Sequence, residues 1–79
     1  MVHYSFFIEA RFCPEITERI LRIIRHRGFR LYSLNVQLQG NKVENKIINL
    51  FITVVSNRSA NLLFFQLKKL VDIIYIEFR

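Results

Sequence analysis

The chain contains no tryptophan, one cysteine, one proline, two glycines and two histidines among 79 residues, and each scarcity removes a class of function. A single thiol, Cys13, cannot close an internal disulfide, and a thiolate metal site would have to borrow its other ligands. The paired-cysteine loop of a metal chaperone is therefore missing. Gly28 and Gly40 stand too far apart in the sequence to form a glycine-rich phosphate loop. With so little Gly and Pro, few residues are left for loops. No uninterrupted apolar run reaches the roughly 18 residues that a bilayer span requires, and Met1 to Tyr4 lacks the basic and then apolar layout of a secretory leader. A cytoplasmic protein with no membrane partner is expected. Groups for catalysis are equally sparse. His3 falls on the outer face of a strand, His26 in the basic end of a helix, and Asp72 at a turn between Val71 and Ile73. No catalytic, cofactor-binding or metal-ligating residue is expected in this chain.

Apolar and basic residues are what the chain has in quantity. Hydrophobic residues make up 52% of it, with eight Phe and three Tyr, enough for a packed core. Its length allows one domain, residues 1–79, close to the size at which apolar burial barely outweighs the entropy of ordering the backbone, so help from a partner is expected. Twelve Lys and Arg against six Asp and Glu give a formal charge of +6. Much of that charge lies in Arg19, Arg22, Arg25, Arg27 and Arg30, interleaved with Glu15 and Glu18 at helical spacing. This reads as a solvated, partly self-paired helix face rather than a nucleic-acid patch.

Periodicity divides the chain into six elements. Val2 to Arg11 alternates, placing Val2, Tyr4, Phe6, Ile8 and Ala10 on one face and His3, Ser5, Phe7, Glu9 and Arg11 on the other, a half-buried strand. Pro14 and Glu15 suit a first helical turn, Ile16, Ile20, Ile23, Ile24 and Arg27 fall on one stripe, and Gly28 follows as a left-handed cap, predicting a helix over Pro14 to Arg27. Phe29 to Gln39 is a second strand whose period blurs at Leu31 to Ser33, so its faces are left unassigned. A polar turn through Gly40, Asn41, Lys42, Glu44 and Asn45 leads to a third, antiparallel strand over Ile47 to Val55. Ser56 or Asn57 can cap a second helix over Arg58 to Leu70, with Ala60, Leu63, Phe64, Leu67 and Val71 on its apolar stripe. Asp72 to Arg79 ends the chain as a strand too apolar for an edge wholly open to water. The order βαββαβ predicts an α+β, ferredoxin-like split βαβ sandwich, a four-stranded antiparallel sheet with both helices on one face.

That fold hosts many functions. Phe7 and Phe51, on the outward faces of the first and third strands, sit where an RNA-recognition module stacks bases, and such a module is the alternative reading. Against it, the third strand lacks the Gly and spaced aromatics of the ribonucleoprotein signature, so no nucleic-acid partner is expected.

Two long segments carry a more specific signal. Ala10 to Phe29, ARFCPEITERILRIIRHRGF, and Arg58 to Asp72, RSANLLFFQLKKLVD, resemble the short regulatory subunits of acetolactate synthase of the isozyme II type. With the flanking strands the resemblance covers nearly the whole chain. It implies an ACT domain, a minimal form lacking the further C-terminal domain of longer relatives, that pairs with itself and binds a catalytic large subunit. Thiamine diphosphate, magnesium and FAD are expected in that partner and none of them here. The implied role is to activate or stabilise the large subunit in branched-chain amino-acid biosynthesis. Valine-sensing relatives place Asn and Gly in the turn between the first strand and first helix, and a further Asn just after the arginine-glycine pair. The equivalent positions here are Arg11, Phe12, Cys13, Pro14, Glu15 and Arg30, bulkier, charged and short of one backbone amide at Pro14, so a degenerate effector site with weak or no valine feedback is expected. Leu62 and Phe65 fall on the outer side of the second helix, and Phe7 and Phe51 on the uncovered sheet face. These four are the candidate partner surface.

Overall fold

The computed structural model describes residues 1–39 and 46–79, so the turn expected between Gly40 and Asn45 lies outside the described residues. Six elements follow in the expected order: β1 (Val2–Arg11), α1 (Ile16–His26), β2 (Arg30–Gln39), β3 (Ile47–Ser56), α2 (Ala60–Lys68) and β4 (Ile73–Phe78). The strands form one antiparallel sheet in the order β2-β3-β1-β4.

Apolar alternation sets the layers. Phe6, Ile8 and Ala10 of β1, Ile48, Leu50, Ile52 and Val54 of β3, and Ile76 of β4 are buried on one face of the sheet. Against them α1 brings Ile16, Ile20 and Ile24, and α2 brings Ala60, Leu63 and Leu67. Each fully buried Ile or Leu contributes about 1.5–3 kcal/mol over its exposed state. Phe64 stacks on Phe78 at 5.2 Å, and Phe78 lies 4.8 Å from Phe6, closing the core beneath α2.

Several local expectations need correction. The first helix starts at Ile16 rather than Pro14, because Pro14 and Glu15 form a turn closed by Ile16 N donating to Cys13 O at 3.2 Å. The cap of α2 is Ser59, which accepts from Asn61 N at 3.3 Å, rather than Ser56 or Asn57. Ser56 is instead buried, donating to Gly28 O at 3.1 Å and accepting from Arg58 N at 3.0 Å, and so ties the end of α1 to the start of α2. Val71 is 85% exposed: α2 ends at Lys68, and helical spacing no longer places it inward. Val2, assigned to the core face, is 51% exposed at the sheet's end. Gly28 does adopt the left-handed conformation expected of the cap, φ +84°, and a Cβ there would lie 2.6 Å from Arg58 Nε.

The blurred period of β2 has a simple cause. Leu31 and Ser33 pair with the adjacent residues Val54 and Thr53, so Tyr32 is an extra residue in a bulge, and its ring meets His3 edge-to-face at 4.9 Å. A second bulge occurs on β4, where Tyr75 pairs with Glu9 but Ile73 with Ala10. β4 is an edge despite its apolar sequence, with Ile74, Tyr75 and Phe78 partly open to water.

Candidate functional site

Arg11 ends β1, and the residues after it form the turn into α1. That turn is held by its neighbours: Arg11 N donates to Asp72 O at 2.8 Å and Phe12 N to Lys46 O at 3.0 Å. Cys13 Sγ lies 3.6 Å from Asp72 Oδ2, and Arg19 Nη1 lies 3.9 Å from the same oxygen. Partial burial, reinforced by the Asp72 and Glu15 charges, pushes the Cys13 thiol above its ordinary pKa, although a hydrogen bond to the Glu15 backbone opposes the shift. A protonated thiol beside a carboxylate is a poor nucleophile, and this cluster reads as a tie between two turns. Glu15 occupies the N-cap of α1 without a side-chain cap bond.

Arg30 does not join this turn within one chain. Arg11 pairs with Ile47 and Arg30 with Val55, eight residues apart on β3, which is about 26 Å at roughly 3.3 Å per residue. A groove of about 800 Å³ connects the two ends, running between α1 and β2 from Pro14 past Thr17 and Leu21 to Phe29, Arg30 and Leu31. Its floor continues onto residues that sequence reasoning left unplaced. Leu31, Val36 and Leu38 pair with Val54, Leu50 and Ile48, which puts them on the helix side of the sheet, yet they are 45, 41 and 60% exposed because α1 covers β2 only in part. The alternation of Leu34, Val36 and Leu38 was a usable signal for that face, masked by the bulge at Tyr32.

The opposite sheet face carries an aromatic cluster. Phe7 and Phe51, paired across β1 and β3, have ring centroids 5.0 Å apart, and Tyr75 joins them 6.3 Å from Phe7. Arg79 lies over both phenylalanines, its guanidinium carbon 5.0 and 5.8 Å from the two ring centres. Tyr75 and Arg79 were not foreseen as parts of this face. Leu62 and Phe65, 54 and 59% exposed, stand on the outer side of α2, so the four residues of the candidate partner surface fall on two opposite faces.

A model of the ACT domain matches residues 13–76 of the chain. The chain belongs to the ACT-domain family. This ACT domain is 45% identical over 76 residues to the acetolactate synthase isozyme 2 small subunits of Escherichia coli K12 and of Shigella flexneri, covering 96% of the chain and 84% of each relative. Among solved structures it resembles the ACT domain of the GTP pyrophosphokinase of Chlorobium tepidum, with a TM-score of 0.74 at 14% identity over 98% of this chain and 96% of that one. The C-terminal domain of the MgtC protein from Mycobacterium tuberculosis superposes with a TM-score of 0.70 at 12% identity over 98% of this chain and 84% of that one. At such identities these two likenesses speak to the fold alone. The RNA-recognition alternative finds no support in these matches. At that identity and coverage the chain belongs with the acetolactate synthase isozyme 2 small subunits, and among the described residues no group of three or more His, Cys, Asp or Glu side chains is placed to hold a metal ion.

Proposed function

We propose that this ACT domain is the regulatory small subunit of an acetolactate synthase and acts by binding the catalytic large subunit and favouring its active form. The observation that carries the reading is the 45% identity to an acetolactate synthase small subunit across 96% of the chain. A subunit without chemistry of its own changes a rate only by binding one conformation of its partner more tightly than another, and the shift equals that difference in affinity. Thiamine diphosphate, magnesium and FAD belong in this reading to the large subunit, at work on the branched-chain amino-acid pathway in the cytoplasm. Among the described residues no helix is long and apolar enough to cross a membrane.

Self-pairing belongs to the same reading, and β2 is the edge that suits it. It has ten residues against six in β4, carries no charged residue or proline from Leu31 to Gln39, and leaves Leu31, Val36 and Leu38 uncovered beside the α1 groove. A two-fold, antiparallel pairing centred near Asn35 brings Arg30 of a second copy to the level of Gln39. Gln39 pairs with Ile47, as does Arg11, so that Arg30 would approach the turn from Arg11 to Glu15 that its own chain keeps distant. The degenerate effector site is in this reading completed between two copies, with Pro14 lacking an amide donor and Glu15 adding an anion where a ligand carboxylate would lie.

The test is to titrate this chain into the catalytic subunit of the same genome at fixed concentration while following acetolactate formation and FAD retention. A saturable rise in either supports the reading. A flat response in both, with no co-purification, refutes it.

A further inference from the structure

The two faces that hold Phe7 with Phe51 and Leu62 with Phe65 differ in charge. On the open sheet face Arg79 covers the aromatic pair and is itself 3.4 Å from Glu77, while Tyr75 donates to Glu77 at 2.8 Å, so its charges are mixed and paired. On the other face, α2 itself carries no acidic residue. A cleft of about 150 Å³ between the end of α1 and α2 is lined by His26, Arg27, Arg58, Leu62 and Gln66, and Lys69, four residues after Phe65, caps the C-terminal end of α2. Among the described residues none of Arg27, Arg58 and Lys69 is within 4 Å of a carboxylate, because the ion pairs on the helical layer, Arg19 with Asp72 and Arg22 with Glu18, lie elsewhere. Arg58 is further fixed in place, since its side chain passes over Gly28 and its backbone N–H is held by Ser56.

We propose that the outer face of α2, with Leu62 and Phe65 at its centre and Arg27, Arg58 and Lys69 at its rim, is where this domain docks on a surface of its catalytic partner that presents apolar side chains ringed by carboxylates. The proposal rests on the small-subunit reading above and names the surface. An apolar centre bordered by unpaired charge of one sign has the layout of a protein interface, in which burial holds the complex and the rim selects a partner of opposite charge and speeds encounter. An RNA partner would take the cations for phosphate contacts and stack a base on Phe65, but it offers nothing to cover Leu62 beside it, and its binding is made an outcome of the test. β2 lies on the far side of α1 from this face, so docking here leaves the β2 edge free for a second copy.

Three purified variants test it in the activation titration: Phe65→Glu, the double exchange Arg27→Glu with Lys69→Glu, and Phe51→Asp on the open sheet face. All four positions are solvent-exposed, and circular dichroism together with sedimentation confirms that fold and self-association are kept. The half-saturating concentration should rise at least tenfold for Phe65→Glu and for the double exchange, with full activation still reached at saturation, and stay within twofold for Phe51→Asp. It should also rise with salt for the unmodified chain and less so for the double exchange. An unmodified chain that neither binds nor activates refutes the small-subunit reading and this proposal with it. Activation with unchanged half-saturation in the α2 variants, a loss confined to Phe51→Asp, or displacement of the large subunit by a single-stranded oligonucleotide at physiological salt overturns the docking surface alone.

Discussion

Leu38→Lys offers the sharpest test of how this domain pairs. Leu38 is 60% exposed on the helix side of β2, and a second copy pairing along this edge would cover what remains. Burying a whole leucine side chain is worth about 2 kcal/mol, so covering the open part of Leu38 contributes about 1.2 kcal/mol per copy. In a two-fold dimer the position is buried twice, which makes about 2.4 kcal/mol, or roughly fiftyfold in the dissociation constant at about 1.4 kcal/mol per tenfold. A lysine also brings an ammonium that must either lose water or hold the edges apart, a device that natural edge strands use against pairing. The expected result is a dimer dissociation constant raised about fiftyfold or more, measured by sedimentation over a dilution series, with the monomer still folded by circular dichroism. Val71→Lys, in the exposed turn after α2, serves as the control and should leave association unchanged. An unchanged constant for Leu38→Lys, with the fold intact, refutes pairing through β2.

Other outcomes follow from single sites. Gly28→Ala should lower unfolding free energy by about 1–2 kcal/mol, because φ +84° strains an L side chain; adding Arg58→Ala should return only the smaller steric part, and full recovery in a denaturant titration would show that the clash sets the cost. Cys13 should alkylate more slowly at neutral pH than an unstructured cysteine, since burial first and then the Asp72 charge raise its pKa and deplete the thiolate. The rate should climb with pH and increase in Asp72→Asn, and a rate equal to that of a free thiol and indifferent to Asp72 would contradict the geometry. Valine up to millimolar concentration should change the activity of the assembled enzyme by less than about twofold, the expectation for a turn missing one backbone donor. Half-inhibition at micromolar valine, lost on substituting Arg30, would show a working effector site.

Local periodicity determined a great deal of this protein. Alternation in Val2 to Arg11 and Ile47 to Val55, the isoleucine stripe of α1 with Gly28 after it, and the apolar stripe of α2 place four elements and the core-facing residues Ile8, Ile20, Leu50 and Leu63, because burial on one side of an element imposes its period on the chain. The two long segments in α1 and α2 were sufficient for the family. Boundaries and caps were less legible: Ser56, Asn57 and Ser59 all suit an N-cap, and only the contact of Ser56 with Gly28, 28 residues away, decides that it serves another purpose. The candidate surfaces depended still more on contacts distant in sequence. Nothing local tells that the packing leaves Leu31, Val36 and Leu38 of β2 open, that Arg79 folds over Phe7 and Phe51, or that Arg11 and Arg30 stand at opposite ends of the sheet. Those facts belong to strand order and register, where residues far apart in the chain are set side by side. The sequence by itself therefore determined the elements, the core and the family, while the tertiary structure alone decided which apolar residues remain for a partner, because exposure depends on what packs above a residue and periodicity reports only which way it points.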